Sequence, residues 1–179
     1  MKRPCIIFLV FAIIILSVVA IEVKDKSVYK EYLRIHIRAN SNSQIDQQVK
    51  YEIKDSVVNF LAPHIASCKT YSDAEEMLKN NLSGIERVAD GILKKHNFSY
   101  TSSASVKLEE FPTRTYQNLT LESGVYRALI INLGSGAGDN WWCVVYPPLC
   151  FTHGDYPYQY RSAIIDIINN FFVSDGRKK

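Results

Sequence analysis

The stretch Leu-Arg-Ile-His-Ile-Arg-Ala, residues 33–39, decides the fold because apolar and polar residues alternate along all of it. Successive side chains of a β-strand point to opposite faces, so this alternation predicts a half-buried strand. Its apolar residues are expected to face a core. Its polar residues, Arg34, His36 and Arg38, are expected to form a cationic face on the exposed side.

Two amphipathic helices are predicted after this strand. Residues 40–43, Asn-Ser-Asn-Ser, supply helix N-cap candidates. The apolar residues that follow recur at intervals of three and four, and the helix is expected to end near Pro63. A second helix is expected to begin at the capping box Ser-Asp-Ala-Glu, residues 72–75, and to end at the basic residues 94–96.

The second half of the chain is rich in predicted strands. We expect strands at 100–108, 124–133 and 141–146, a break at 109–114, a glycine-rich turn at 134–140 and a C-terminal helix at 158–172. Helices gathered on a sheet of this kind indicate an α+β domain. The predicted architecture is therefore amphipathic helices packed on a mostly antiparallel sheet.

The N-terminus has the pattern of an export signal. Lys2 and Arg3 precede an apolar run from Cys5 to Ile21 that contains no charged residue, and cleavage would fall after Ala20. An uncleaved membrane anchor is the other interpretation, and it would be the chain's only membrane contact. The expected organisation is a signal peptide or anchor at 1–21, a linker at 22–32, one α+β domain at 33–172 and a basic tail at 173–179.

The composition excludes some classes of function but does not indicate a particular one. The chain has 179 residues, of which 47% are hydrophobic and 22% charged, so one packed domain is expected. The formal net charge is +3 and no basic run stands out, which argues against a nucleic-acid partner. The four histidines are scattered, and neither a metal site nor a cofactor is predicted.

The cysteines leave two interpretations open. Cys143 and Cys150 are close in sequence, and a disulfide between them is plausible in an oxidising compartment. Two buried thiols in a hydrophobic strand would explain the same residues. Cys68 is expected to be a small buried hydrophobic residue.

A thiol nucleophile and a phosphate-binding loop both have little support in the sequence. Cys143 with His36 or His153 would be a thiol nucleophile and its base, but no third, orienting group is evident. We expect His36 to be a surface residue whose neutral form is favoured by the arginines beside it. The glycine-rich segment 134–140 precedes a strand instead of a helix, so it is interpreted as a hairpin loop and not as a phosphate-binding loop.

With catalysis and phosphate binding set aside, the remaining function for these residues is to bind a partner. Aromatic residues and arginine contribute most of the energy at protein interfaces. The candidate partner-binding residues are Arg34, His36, Arg38, Asn40, Arg114, Tyr116, Trp141 and Trp142. For the two tryptophans, a place in the core is the competing interpretation.

Two blocks of sequence carry a family resemblance. Residues 33–43 are similar to the pattern L-R-x-H-x-x-A-N-S-D-S, and Asp-Gln and a lysine follow at 46–50. The second block starts at Phe-Pro-Thr-Arg, residues 111–114, and closes with Asn-Trp-Trp-Cys at 140–143 and Pro-Pro-Leu-Cys at 147–150. Together they resemble the stage II sporulation protein R family.

The chain departs from that family pattern at a few positions. Asn42 stands where Asp is usual, Gln117 where Gly is usual, Glu122 where Pro is usual and Arg127 where Glu is usual. The similar segments cover residues 33–151. The segment after Phe151 offers little to compare.

The resemblance implies a function that composition does not show. Family members are exported across the forespore membrane into the space between forespore and mother cell. There they activate a membrane-embedded aspartic protease of the mother cell, which processes the sigma-E precursor. The resemblance thus implies a signalling protein that is not an enzyme. The alternative is an exported thiol hydrolase that acts on envelope material.

Overall fold

The computed structural model describes residues 28–116, 119–152 and 157–176. The predicted signal or anchor segment at 1–21 and His153 lie outside the described residues. No helix of the described part combines the length and hydrophobicity that crossing a bilayer would require.

The described residues form a four-stranded mixed sheet and a separate β-hairpin. The strands are β1 (Val28–Arg38), β2 (Ser102–Phe111), β3 (Arg114–Tyr116), β4 (Leu119–Leu121), β5 (Gly124–Leu133) and β6 (Asn140–Tyr146). The sheet order is β2-β5-β1-β6, and β3 pairs with β4. Strand β1 is parallel to β5 and antiparallel to β6, while β2 is antiparallel to β5. Two of the three pairings in the sheet are therefore antiparallel.

The helices pack on one face of the sheet, as predicted. They are α1 (Gln44–Ile65), α2 (Tyr71–Asn80), α3 (Leu82–Lys95) and α4 (Tyr158–Gly176), and a 3₁₀ turn spans Leu149–Phe151. The apolar side chains of β1 that were expected to face a core, Leu33, Ile35 and Ile37, are at most 1% exposed and contact these helices. The predicted α+β class is confirmed.

The strands are longer than alternation alone predicted. Strand β1 begins at Val28, so the end of the segment predicted as a linker, 22–32, belongs to the strand. The predicted break at 109–114 is partly wrong, because β2 continues through Glu109 and Glu110 to Phe111. Strand β2 pairs with β5 along its whole length, and this pairing overrides the local signal of two adjacent glutamates.

The prediction of one long second helix is wrong. Asn81 separates α2 from α3, and its side-chain amide donates a hydrogen bond of 2.8 Å to the Met77 carbonyl. The capping box that begins α2 is formed by Thr70 and Asp73, two positions before the predicted one. At the C-terminus, α4 continues to Gly176, so the predicted basic tail, 173–179, starts inside a helix.

The apolar stripe of α1 also differs from the prediction at its start. Ile45 was predicted to face the core but is 49% exposed. Asp46 and Lys50 occupy the buried positions of the first two turns instead, beside the buried Val49 and Ile53. The reason is a polar network at the N-terminus of α1, described below.

The glycine-rich loop is not the predicted hairpin. Strands β5 and β6 lie on either side of β1, so residues 134–139 must cross the end of β1 to connect them. The loop contacts the chain that it crosses, since the Gly138 amide donates to the Ala39 carbonyl at 2.8 Å. Gly134 and Gly136 have φ angles of +55° and +63°, which favour glycine.

Gly138 and Gly91 give a matched pair of alanine substitutions. A Cβ on Gly138 would lie 2.3 Å from the Ser41 carbonyl oxygen, and because this is a backbone atom, no side-chain rotation can relieve the clash. We expect Gly138→Ala to lower the free energy of unfolding by about 2 kcal/mol. Gly91, in α3, has no heavy atom within 4 Å of an added Cβ. Gly91→Ala should raise stability by about 0.5–1 kcal/mol, because alanine is the better helix former. Urea unfolding of both variants checks this, and equal effects would contradict the crossing geometry.

Candidate partner-binding surface

The second face of the sheet carries the candidate site. It displays alternate residues of each strand, and the buried apolar residues of the helices all belong to the cluster on the other face. Its own buried cluster consists of strand residues, with aromatic side chains packed around them. We call this surface the aromatic face; its members are Arg34, His36, Arg38, Phe111, Tyr126 and Trp142 of the sheet and Arg114 and Tyr116 of β3.

Arg34 is buried at the centre of the aromatic face. The prediction of an exposed cation is wrong, since none of its surface is accessible. Its guanidinium carbon lies 4.3 Å from the Phe111 ring centroid, 4.8 Å from that of Tyr126 and 5.5 Å from that of Tyr116. Its Nη2 donates a hydrogen bond of 2.7 Å to the Tyr116 hydroxyl. Burial lowers the pKa of Arg34, and the tyrosines partly offset this effect.

His36 is buried as well, and the predicted surface position is wrong. The residue is 1% exposed, and its ring stacks on Trp142 with centroids 3.6 Å apart and an interplanar angle of 20°. Burial, followed by repulsion from Arg38, lowers its pKa to about 4. The neutral form is favoured as predicted, but burial is the main cause and the neighbouring arginine is secondary.

The accessible rim of the aromatic face is basic. Arg38 is partly exposed and forms an ion pair with Glu109, which Lys107 approaches to 3.6 Å. Arg114 is exposed, and its guanidinium carbon lies 6.0 Å from the centroid of the half-buried Trp142 ring. A partner that approached this face would therefore meet cations and the tryptophan before it reached Arg34 or His36.

Two predicted binding residues lie elsewhere. Trp141 is on the helix-covered face, next to the main core, with the Lys54 ammonium 5.8 Å from its ring centroid. Its position follows from strand alternation, because the adjacent Trp142 takes the other face. Asn40 lies past the end of β1, where its side-chain oxygen accepts a 3.0 Å hydrogen bond from the Ser135 amide. These two residues support the fold instead of the aromatic face.

The polar network at the start of α1 was missed at the sequence level. Asp46 is 4% exposed and accepts hydrogen bonds from the side chains of Asn40, Ser41 and Tyr100. Burial opposes its ionisation, but these hydrogen bonds prevail and lower its pKa. The network thereby joins the end of β1, the start of α1 and the segment before β2.

Lys50 attaches the glycine-rich loop to the same helix. It is 1% exposed, and its ammonium donates to Gln47 Oε1 at 2.6 Å and to the Asp139 carbonyl at 3.0 Å. One feature of the sequence could have revealed this polar network. Asp46 and Lys50 share the helical spacing of the buried Val49 and Ile53, and charged residues at such positions indicate a polar network.

Three cysteines, Cys68, Cys143 and Cys150, lie on the helix side of the sheet. The structure joins Cys143 to Cys150 by a disulfide, with Cα atoms 6.1 Å apart. Cys68 is buried as predicted, and burial raises the pKa of its thiol to about 11. In residues 28–116, 119–152 and 157–176, no group of three or more His, Cys, Asp or Glu residues could hold a metal ion.

The fold and this surface define the class of protein. It is an α+β domain with one sheet face under helices and a second face of aromatic side chains with a basic rim, a composition typical of protein interfaces. A family model described as stage II sporulation protein R matches residues 29–155. The chain belongs to the stage II sporulation protein R family.

A curated relative is consistent with this assignment. The stage II sporulation protein R of Bacillus subtilis (strain 168) is 35% identical over 119 residues, which are 66% of this chain and 53% of the relative. The chain thus matches about half of that relative's length. No solved structure matches the chain. Family membership supports a role in sporulation.

Proposed function

We infer that this chain is an exported forespore signalling protein that activates a membrane-embedded aspartic protease of the mother cell. The protease would then process the sigma-E precursor. The proposal starts from family membership, which supports the sporulation role, and from the activity that the family resemblance implies. The protein would act as a ligand, and the hydrolysis would be carried out by its partner.

The aromatic face is the observation on which the proposal depends. It brings Arg114, Trp142, Arg38 and Lys107 together on the side of the sheet that the helices leave uncovered. Tryptophan and arginine are among the residues that most often dominate the binding energy of a protein interface. A basic rim would also increase the association rate with an acidic partner surface.

Activation requires a difference in affinity between two states of the protease. A ligand shifts a conformational equilibrium only as far as it binds one state more tightly than the other. A hundredfold preference for the active state would correspond to about 2.7 kcal/mol of coupling. In this mechanism the aromatic face binds the outer-facing part of the protease and favours its active form.

The export step has its own support. The N-terminal apolar run follows two basic residues, which is the pattern of an export signal. The disulfide between Cys143 and Cys150 suits an oxidising compartment outside the cytoplasm. Both features favour a protein that acts outside the cytoplasm in which it is made.

The alternative of an exported thiol hydrolase gains nothing from the geometry. The Cys143 sulfur is bonded to Cys150 and cannot be a thiolate nucleophile in that state. Cys143 pairs with Ile35 and shares its sheet face, whereas His36 lies on the opposite face beside Trp142. His153, the other candidate base, lies outside the described residues.

Reconstitution tests the proposed function. The full chain would be co-expressed with the candidate protease and the sigma-E precursor in a host that lacks all three. We expect precursor cleavage only when this chain is exported, and loss of cleavage when its apolar N-terminal run is disrupted. Cleavage that is equal with and without the exported chain would refute the activator role.

Arg114 and Arg127 provide a matched pair on opposite faces of the protein. Arg114 is exposed on the aromatic face, whereas Arg127 lies on the helix side and contacts Glu75 at 3.4 Å. We expect Arg114→Ala to reduce precursor cleavage at least tenfold, because interface arginines often contribute more than about 1.4 kcal/mol. Arg127→Ala should leave cleavage within about twofold. Both variants should remain folded by circular dichroism, and equal effects would exclude Arg114 as a contact.

A further inference from the structure

Arg34 has more hydrogen-bonding capacity than the described residues use. A guanidinium presents five N–H donors in a planar fork. Within the described residues, Arg34 Nη2 donates a hydrogen bond to the Tyr116 hydroxyl. Its Nε and Nη1 are buried and have no hydrogen-bond partner in that part of the chain. The unused donors are therefore sealed from water as well as unpaired.

Other arginines of the domain show what is missing. Arg38, on the same strand and the same face, forms an ion pair with Glu109. Arg127, on the helix side, contacts the carboxylate of Glu75. Among the salt bridges of the described residues, none includes Arg34. Unlike Arg38 and Arg127, Arg34 therefore has no carboxylate partner among the described residues.

The aromatic rings compensate the buried charge only in part. Phe111, Tyr126 and Tyr116 each place a ring within 5.5 Å of the guanidinium carbon. Such contacts attract a cation, but a charge without a counter-ion remains costly in an apolar site. An anion that entered this site would be held strongly, because little water is present to screen the attraction.

One of the side chains packed on Arg34, Tyr116, comes from outside the main sheet. Tyr116 belongs to β3, a three-residue strand whose pairing partner is the equally short β4. Neither strand belongs to the four-stranded sheet. A movement of the partly exposed Tyr116 side chain would break its hydrogen bond to Arg34 Nη2 without any change in the main sheet.

We propose that Arg34 is a receptor for one carboxylate group of a partner protein, which replaces the Tyr116 hydroxyl on the guanidinium. The planar fork of arginine matches the two oxygens of a carboxylate. One negative charge balances the single uncompensated cation, whereas a phosphate dianion would leave an excess charge in an apolar site. That the carboxylate belongs to the protease rests on the proposed function.

Acetate is the simplest probe of this site. The Nε–Hε resonance of Arg34 would be followed by NMR in the full chain, kept in uncharged detergent, during titration with sodium acetate. We expect a saturable shift that sodium chloride at the same ionic strength does not produce. Tyr116→Phe removes the competing hydroxyl, so acetate should bind to that variant roughly twofold to tenfold more tightly, the range of one hydrogen bond.

Three results would overturn the proposal. The first is a linear response to acetate, or one that chloride reproduces. The second is tighter binding of inorganic phosphate than of acetate, which would assign the site to a phosphate-bearing ligand. The third is unchanged or weaker acetate binding in Tyr116→Phe. Each is measured on protein that keeps Arg34, so misfolding of an arginine variant cannot produce any of them.

The reconstituted system separates this proposal from the proposed function. Arg34→Met replaces the guanidinium with an apolar chain of similar length, and we expect it to abolish precursor cleavage while near-UV circular dichroism stays unchanged. If acetate binds but the wild-type chain causes no export-dependent cleavage of the precursor, the activator role would be refuted while the carboxylate site would still be supported. Full cleavage by Arg34→Met would refute the partner carboxylate and leave the activator role standing.

Discussion

Replacing Asp46 with alanine is expected to lower the free energy of unfolding by about 3 kcal/mol. The substitution leaves three side chains, Asn40, Ser41 and Tyr100, without their shared acceptor in a buried site. Each buried polar group that loses its partner costs about 1 kcal/mol or more. The loss should appear in urea unfolding followed by tryptophan fluorescence.

Asp55 provides the control for this substitution on the same helix. Its side chain is 67% exposed, and its contact is with the neighbouring Lys54. Asp55→Ala should change the free energy of unfolding by no more than about 0.5 kcal/mol. If Asp46→Ala were as mild as Asp55→Ala, the network would not contribute to the connection between β1, α1 and the segment before β2.

The second large effect is on the pH dependence of stability and arises from His36. Its pKa falls from 6.5 in the unfolded chain to about 4 in the folded protein. Between these values the unfolded state binds a proton that the folded state does not, so stability decreases as the pH falls. We expect a loss of about 3 kcal/mol from pH 6.5 to pH 4, with no further change from this residue below pH 4.

The groups around His36 agree with that sign. Arg34 and Arg38 of its own strand and Lys107 of β2 all oppose a second positive charge, while Asn140 of β6 favours it to a smaller extent. Burial remains the largest contribution. The neutral ring therefore stabilises the folded protein at neutral pH and not in acid.

His36→Phe isolates this effect from the acidic residues, which also titrate below pH 5. Phenylalanine can keep the stacking on Trp142, and neither nitrogen of the wild-type ring has a hydrogen-bond partner among the described residues. The variant's stability relative to wild type should be constant above pH 7 and increase as the pH falls to 4. A constant difference across this range would show that folding does not lower the pKa of His36.

The sequence correctly predicted the elements that a local pattern of residues specifies. The alternation of residues 33–39 identified β1 and correctly assigned which side chains share each face. The helical periodicity identified α1 and α4. These signals are local, since each depends on how one segment presents its side chains to one core.

The errors came from contacts between distant segments. Alternation placed Arg34 and His36 opposite the core but could not show that Phe111 and Trp142 would cover them. The glycine-rich loop looked like a hairpin because the sequence does not show that β1 lies between β5 and β6. Strand order and the burial of a second sheet face are tertiary properties that no single segment encodes.

Binding of the protease through the aromatic face is tested most directly by determining which face of the protein touches the protease. A photoreactive benzoylphenylalanine would replace Thr115, exposed on β3 beside the aromatic face, or Glu76, exposed on α2 in the helix layer. In the reconstituted system, we predict a cross-link to the outer-facing part of the protease from position 115 and none from position 76. A cross-link from position 76 alone, or from neither position while the precursor is still cleaved, would contradict binding through the aromatic face.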